Sequence, residues 1–284
     1  LSIRRQRQMC IRDSYEASRL DDSETHKMLS KTYPYTILIT EDDDEVRCFL
    51  ERELSPHFKT RTAANGKDAL RVLEEEEISL VVSDVMMPEM NGFELCRMIK
   101  SQLPFSHIPV ILLTALTDER QRIFGITGGA DDYIQKPFHT DYVKIKIIHL
   151  LQERRKLRER LLEKLRDNKL LLSEPEKVES IDDAFLRKFA EQIEAVYADP
   201  EYNVEKLSET LGLSRGHLHR KIKELTGTSP VEFLRTYRLN KATQLLRQNA
   251  YTVSEVAYRT GFSSPAYFSK CFKAVYGVTP TEYQ

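Results

Sequence analysis

"LVVSDVMMPEMNG", residues 80–92, is an apolar run that stops at a carboxylate. Leu80, Val81 and Val82 follow one another without polar alternation, as in a strand buried on both faces. Such strands belong to parallel sheets covered by helices, and Pro88 with the Asn91-Gly92 pair marks a loop before the next element. Taken alone, Asp84 at the strand end is open to four readings: a helix cap, a metal ligand, a nucleophile, or a turn former without chemistry.

The pattern repeats on both sides of it. "YTILIT" (35–40), "FKTRTA" (58–63), "SLVVSD" (79–84), "PVILLT" (109–114) and "DYIQ" (132–135) read as strands. Helix-length amphipathic stretches lie near 45–54, 66–75, 92–101 and 118–127, with a fifth from about 139. The alternation predicts an α/β doubly wound, five-stranded parallel sheet over residues 34–151. The fifth helix meets no Gly or Pro until Pro175, and Leu150, Leu157, Leu161 and Leu165 share one stripe. Over 152–181 it is read as a helical linker, open to two roles: a solvated connector or a helix that pairs with its twin in a dimer. "SEPEKVES" (173–180) breaks that pattern, and residues 182–284 read as helix throughout, punctuated by Gly212, Gly227, Gly261 and Gly277. Residues 1–33 are polar and without periodicity, and are expected to be a disordered or non-native leader.

Composition excludes several classes. In 284 residues no apolar run reaches the roughly 18 that a membrane span needs, and the arginine-bearing N-terminus has no apolar segment of a secretory signal. Cys10, Cys48, Cys96 and Cys271 are scattered, which argues for reduced thiols and against a disulfide framework or zinc site. The formal charge of −1 conceals a segregation: residues 35–140 hold 11 Lys+Arg against 19 Asp+Glu, whereas residues 182–284 hold 14 against 12. An acidic half and a mildly basic half suggest two domains with different partners.

In a doubly wound sheet, ligands bind beyond the carboxyl ends of the strands. The first strand ends in Glu41 and Asp42, the third in Asp84, the fourth in Thr114, and the fifth runs into Lys136-Pro137. Crowded carboxylates call for a hard divalent cation such as Mg²⁺. A carboxylate nucleophile can accept a phosphoryl group, whose charge the cation and the Lys136 ammonium would neutralise while Thr114 donates its hydroxyl. "ILITEDDDEVR", "VVSDVMMPEMNGFELCRMIK", "IPVILLTA" and "GADDYIQKPF" together resemble the receiver domain of two-component response regulators, over about 35–150. The resemblance implies Asp84 as phosphoacceptor, Glu41 and Asp42 as the acidic pair holding Mg²⁺, and Met86 as a ligand through its backbone carbonyl. It implies Thr114 and Lys136 as switch hydroxyl and lysine, and Tyr133 as the aromatic that turns with Thr114.

The helical half carries a weak repeat. "VEKLSETLGLSRGHLHRKIKELTGTSPVEF" (204–233) can be laid on "VSEVAYRTGFSSPAYFSKCFKAVYGVTPTEY" (253–283), with a slip of one residue. Short helix, glycine turn and longer helix is the helix-turn-helix layout, whose second helix enters the DNA major groove. In "SRGHLHRKIK" the basic residues Arg215, Arg220, Lys221 and Lys223 stand with no acid, and Leu218, Ile222 and Leu225 make the inward stripe. Arg215, Gly216, His219 and Arg220 are the expected base-facing set, and Ser264, Ala266, Ser269 and Lys270 their counterparts in the second unit. The pair resembles the C-terminal DNA-binding domain of AraC-type transcription regulators, over about 183–284.

Together these expectations describe a DNA-binding transcription regulator controlled by phosphorylation at Asp84. Its expected partners are double-stranded promoter DNA, a sensor histidine kinase, a second copy in a phosphorylated homodimer, and RNA polymerase; its expected location is the bacterial cytoplasm. The domain order also resembles the C-terminal end of hybrid systems in which sensor, kinase and regulator share one membrane-tethered chain, although this sequence holds no histidine-kinase box or Gly-rich ATP lid. Two rivals are a Mg²⁺-dependent phosphatase or phosphotransferase, and an interaction module that never touches DNA. The first needs a second acid/base near Asp84, and "SDVMMPEMNG" offers no obvious one.

Overall fold

The structure, a computed structural model, describes residues 27–115, 129–166 and 180–284. The chain falls into two compact units that divide between Arg155 and Lys156.

The first unit runs β1 (Thr36–Thr40), α1 (Asp44–Leu54), β2 (Lys59–Ala63), α2 (Gly66–Glu75), β3 (Leu80–Asp84), α3 (Gly92–Ser101), β4 (Val110–Thr114), β5 (Asp132–Gln135) and the part up to Arg155 of α4 (Thr140–Arg166). Its strands form one parallel sheet in the order β2-β1-β3-β4-β5. Each strand starts within one residue of its expected position and ends where expected. The helix expected over 118–127 lies outside the described residues, as does the chain from 167 to 179.

The three central strands, β1, β3 and β4, are mostly apolar because successive side chains alternate between two covered faces, whereas the edge strands β2 (KTRTA) and β5 (DYIQ) are not. Ile37, Ile39, Leu80, Val82, Ile111 and Leu113 pack on one face against Leu50 and Leu54 of α1 and Val143 and Ile147 of α4. Leu38, Val81, Val110 and Leu112 pack on the other face against Ala69 and Leu73 of α2 and Leu95 and Ile99 of α3. All five residues of β3 are buried, so Asp84 is the end of a strand with no solvent-facing side. The expected leader (1–33) lies outside the described residues only as far as residue 26. Residues 27–33 are folded: Met28 and Tyr33 pack on the first core face, and the Tyr33 N–H donates to the His57 carbonyl at 2.7 Å.

The second unit is helical: α5 (Ile181–Val196), α6 (Val204–Leu211), α7 (Arg215–Thr226), α8 (Pro230–Arg247), α9 (Val253–Arg259), α10 (Pro265–Tyr276) and α11 (Pro280–Tyr283). Every one of them starts at a Ser, Thr or Asn whose side chain accepts a backbone N–H of the first turn. Backbone and hydroxyl donors at Ser229, Thr252 and Thr279 hold Glu232, Glu255 and Glu282 below the usual carboxylate range. α6 ends on Gly212 at φ 69° and α7 on Gly227 at φ 75°, left-handed conformations that only glycine adopts without strain.

The repeat is visible in the backbone. The Leu213 N–H donates to the Ser208 carbonyl at 3.0 Å, and the Phe262 N–H to the Ala257 carbonyl at 3.0 Å. α7 and α10 both have 12 residues and both end on a left-handed glycine, Gly227 and Gly277. The one-residue slip falls between turn and cap: Ser214 is two residues past Gly212, whereas Ser264 is three past Gly261. α8, α9 and α10 share a core of Leu239, Leu246, Val256, Phe262, Phe268 and Phe272.

Candidate functional site

The sheet register brings the chemistry together. Thr40 pairs with Ser83, Asp84 with Leu113, and Thr114 with Gln135, so Glu41, Asp84, Thr114 and Lys136 come off neighbouring strands at one rim. Glu41, Asp42 and Asp84 each offer a carboxylate oxygen within 4.8 Å of the others; Glu41 and Asp84 are buried and Asp42 is exposed. Lys136 sits between the buried pair, its Nζ 2.9 Å from Glu41 Oε2 and 3.0 Å from Asp84 Oδ1. Two backbone bonds hold these groups in place. The Lys136 N–H donates to the Thr114 carbonyl at 2.7 Å, and the Val85 N–H donates to the Leu113 carbonyl at 3.1 Å. The Val85 N–H also reaches Asp84 Oδ1 at 2.8 Å.

The loop after Asp84 is shaped by Gly92. A Cβ on Gly92 would lie 2.1 Å from the Asp84 carbonyl oxygen, so any larger residue would displace the strand end. Asn91 caps α3 and shares a capping box with Glu94. Met86 is 67% exposed, its side chain turned away from the core.

Burial pushes the Glu41 carboxyl up to about 6; Lys136 opposes this and Asp84 adds to it. For Lys136, burial pulls the ammonium down, but Glu41 and Asp84 outweigh it and hold its pKa above the ordinary value. Two buried carboxylates facing one ammonium, with a third carboxylate in solvent, leave an excess of negative charge. That donor set fits a hard divalent cation bound through oxygens and water. The Tyr133 hydroxyl is buried without a hydrogen-bond partner among the described residues, and burial pushes its pKa up to about 12. Its ring packs on the core face that holds Leu95 and Leu112.

In the second unit, α7 buries Leu218 and Ile222, leaves Leu225 partly covered, and exposes Arg215, Gly216, His219 and Lys223. Arg220 is partly covered and contacts His217 at 3.1 Å. Arg215 pairs with Glu205 of α6 at 2.6 Å. Lys221 corrects the basic face read from the sequence, because it is 0% exposed. It lies on the inward stripe one turn before Leu225, where α5 supplies Asp182 at 2.5 Å and the Phe185 ring at 5.0 Å. On α10, Ala266 and Lys270 are exposed, as is Tyr267 at 51%, whereas Phe268 and Phe272 are buried. Ser264 and Ser269 are only partly covered, but both hydroxyls are engaged by their own helix: Ser264 caps it, and Ser269 donates to the Pro265 carbonyl at 2.9 Å.

Comparisons with known proteins agree on both halves. Residues 37–148 match the family described as response regulator receiver domain, and residues 207–284 one described as helix-turn-helix domain. Histidine kinase P4 of Formosa agariphila is 37% identical over 265 residues, 93% of this chain and 19% of that protein. Transcriptional regulatory protein GltR of Pseudomonas aeruginosa is 43% identical over 118 residues, 41% of this chain and 49% of that protein. The chain thus spans a fifth of the first relative's length and about half of the second's. Among solved structures, the receiver domain of a signal transduction histidine kinase from Syntrophus aciditrophicus is 38% identical, with a TM-score of 0.41, covering 42% of this chain and 91% of that one. The C-terminal domain of the response regulator yesN from Fusobacterium nucleatum is 33% identical, with a TM-score of 0.34, covering 34% and 95%. No helix among the described residues is long and apolar enough to cross a membrane. The chain thus carries a receiver domain of the response-regulator family over residues 37–148 and an AraC-type helix-turn-helix domain over residues 207–284.

Proposed function

We propose that the chain is a transcription regulator whose sequence-specific binding to promoter DNA is set by phosphorylation of Asp84. The observation that carries the reading is Lys136 bridging Glu41 and Asp84 at a rim where Asp42 and Thr114 also end. A carboxylate oxygen of Asp84 attacks the phosphorus of a phosphohistidine or a small phosphodonor; the new O–P bond forms as the bond to the donor breaks, and the imidazole leaves to take up a proton. Glu41, Asp42, Asp84 and the Met86 carbonyl would hold Mg²⁺, which when bound neutralises charge on the transferring group. Lys136, already within 3.0 Å of Asp84, follows the new negative charge onto the phosphoryl oxygens. Thr114 donates its hydroxyl to the same oxygens, and the Tyr133 ring moves with it. This change favours a dimer, whose helix-turn-helix units address paired half-sites through Arg215, Gly216, His219 and Arg220 on α7 and Ala266 and Lys270 on α10, with Ser264 and Ser269 beside them. A sensor histidine kinase supplies the phosphoryl group, and RNA polymerase is the downstream partner.

Phosphodonor labelling in Mg²⁺ tests the acceptor: wild type takes label and Asp84→Asn takes none. Equal labelling of the two would put the phosphoryl group elsewhere. The DNA half is tested by Arg215→Ala with Arg220→Ala, for which loss of promoter binding is expected and unchanged binding would refute the α7 assignment.

A further inference from the structure

The two recognition helices can be compared residue for residue, because each has 12 residues between a serine cap and a left-handed glycine. Leu218 and Phe268 hold the same inward place, as do Ile222 and Phe272. The outward places then pair Gly216 with Ala266, His217 with Tyr267, His219 with Ser269, and Arg220 with Lys270. The chemistry differs most at the Gly216/Ala266, His217/Tyr267 and His219/Ser269 places. α7 offers guanidinium and imidazole groups, the donors that read O6 and N7 of guanine. α10 offers a methyl group and an aromatic ring at its N-terminal end, where Ser264 Oγ accepts the Tyr267 N–H and the Ser269 hydroxyl donates to the Pro265 carbonyl. Its remaining outward cations, Lys270 and Lys273, are exposed ammonium groups suited to phosphates.

Resting on the DNA-binding reading above, we propose that the two units read different base chemistries. α7 selects guanine by hydrogen bonding, and α10 selects thymine through its 5-methyl group, packed against the Ala266 methyl and the Tyr267 ring. Tyr267 is held for this by Phe262 of the preceding turn, ring centroids 6.2 Å apart. Each recognised site is then chemically lopsided, with a guanine-bearing half and a thymine-bearing half. That lopsidedness would fix which way round a monomer sits on the duplex.

The test uses the full chain and duplexes it selects from a random pool, measured at one fixed salt concentration. The half-site whose base preference Arg220→Ala abolishes belongs to α7, and the other belongs to α10. Replacing thymine by uracil removes only the 5-methyl group and keeps base pairing. In the α10 half-site, uracil is expected to weaken binding about three- to fivefold per contacted methyl, while leaving the α7 half-site unchanged. Ala266→Gly and Tyr267→Ala are each expected to show a smaller difference between thymine and uracil duplexes, and the double variant none. Tyr267→Ala keeps a good helix former and so guards against a folding defect of the glycine variant, and all variants are checked for native circular dichroism. Specific binding that is indifferent to uracil in the α10 half-site overturns this inference alone, as does uracil sensitivity that survives undiminished in the double variant. Failure to select any duplex overturns the DNA-binding reading and this inference with it.

Discussion

At the residue scale, the site is a balance of charge around Lys136. Glu41 carries the clearest pH consequence, because burial raises its carboxyl from 4.5 to about 6. The folded state therefore holds this proton more tightly than the unfolded chain does between those values, so the stability the proton contributes at low pH is lost as pH rises through that window. Cation binding needs the ionised form, so apparent affinity for Mg²⁺ should fall by up to about tenfold per pH unit below 6. Calorimetric titration between pH 7.5 and 5 checks this, and Glu41→Gln should bind Mg²⁺ more weakly with a flatter pH profile. Gly92 makes a second prediction. Since its Cβ would sit 2.1 Å from the Asp84 carbonyl oxygen, Gly92→Ala should cost about 1–3 kcal/mol in denaturant unfolding of the first unit and slow phosphodonor labelling. In the sequence, Asn91-Gly92 was readable as a loop; the reason for the glycine was not, because it lies in how closely the α3 N-terminus approaches β3.

At the scale of elements, the parallel sheet was legible because strands buried on both faces leave unbroken apolar runs, and strand ends were legible because their polar residues change abruptly. Glu41, Asp42, Asp84, Thr114 and Lys136 could be placed on one rim because each follows or ends a strand of a parallel sheet. What the sequence did not disclose was the direction of side chains that are polar by type and buried by position. Lys221 read as part of a basic DNA face, yet it points into the bundle, where Asp182 and Phe185 of α5 receive it. Hydropathy alone cannot anticipate a partner arriving from a helix 39 residues earlier. Asp182→Ala, which leaves a buried ammonium without that carboxylate, should destabilise the second unit by about 2 kcal/mol or more, whereas Lys221→Met should cost less. Thermal unfolding of the two variants tests the order.

At the scale of the whole molecule, an acidic receiver and a mildly basic helical unit share one chain, and the central claim is that the state of Asp84 governs what the second does to DNA. Coupling between two sites typically amounts to about 1–3 kcal/mol, or roughly a 5- to 150-fold change in affinity. Part of that affinity is electrostatic: Lys270→Ala or Lys273→Ala should weaken binding similarly on all sequences and lower the salt dependence by about one phosphate contact. The most direct measurement is the affinity of the full chain for a selected duplex, with and without a small phosphodonor and Mg²⁺, in wild type and Asp84→Asn. Wild type should shift at least about fivefold on phosphorylation and Asp84→Asn should not shift. An equal shift in both, or none in wild type, would contradict the reading of Asp84 as the control point.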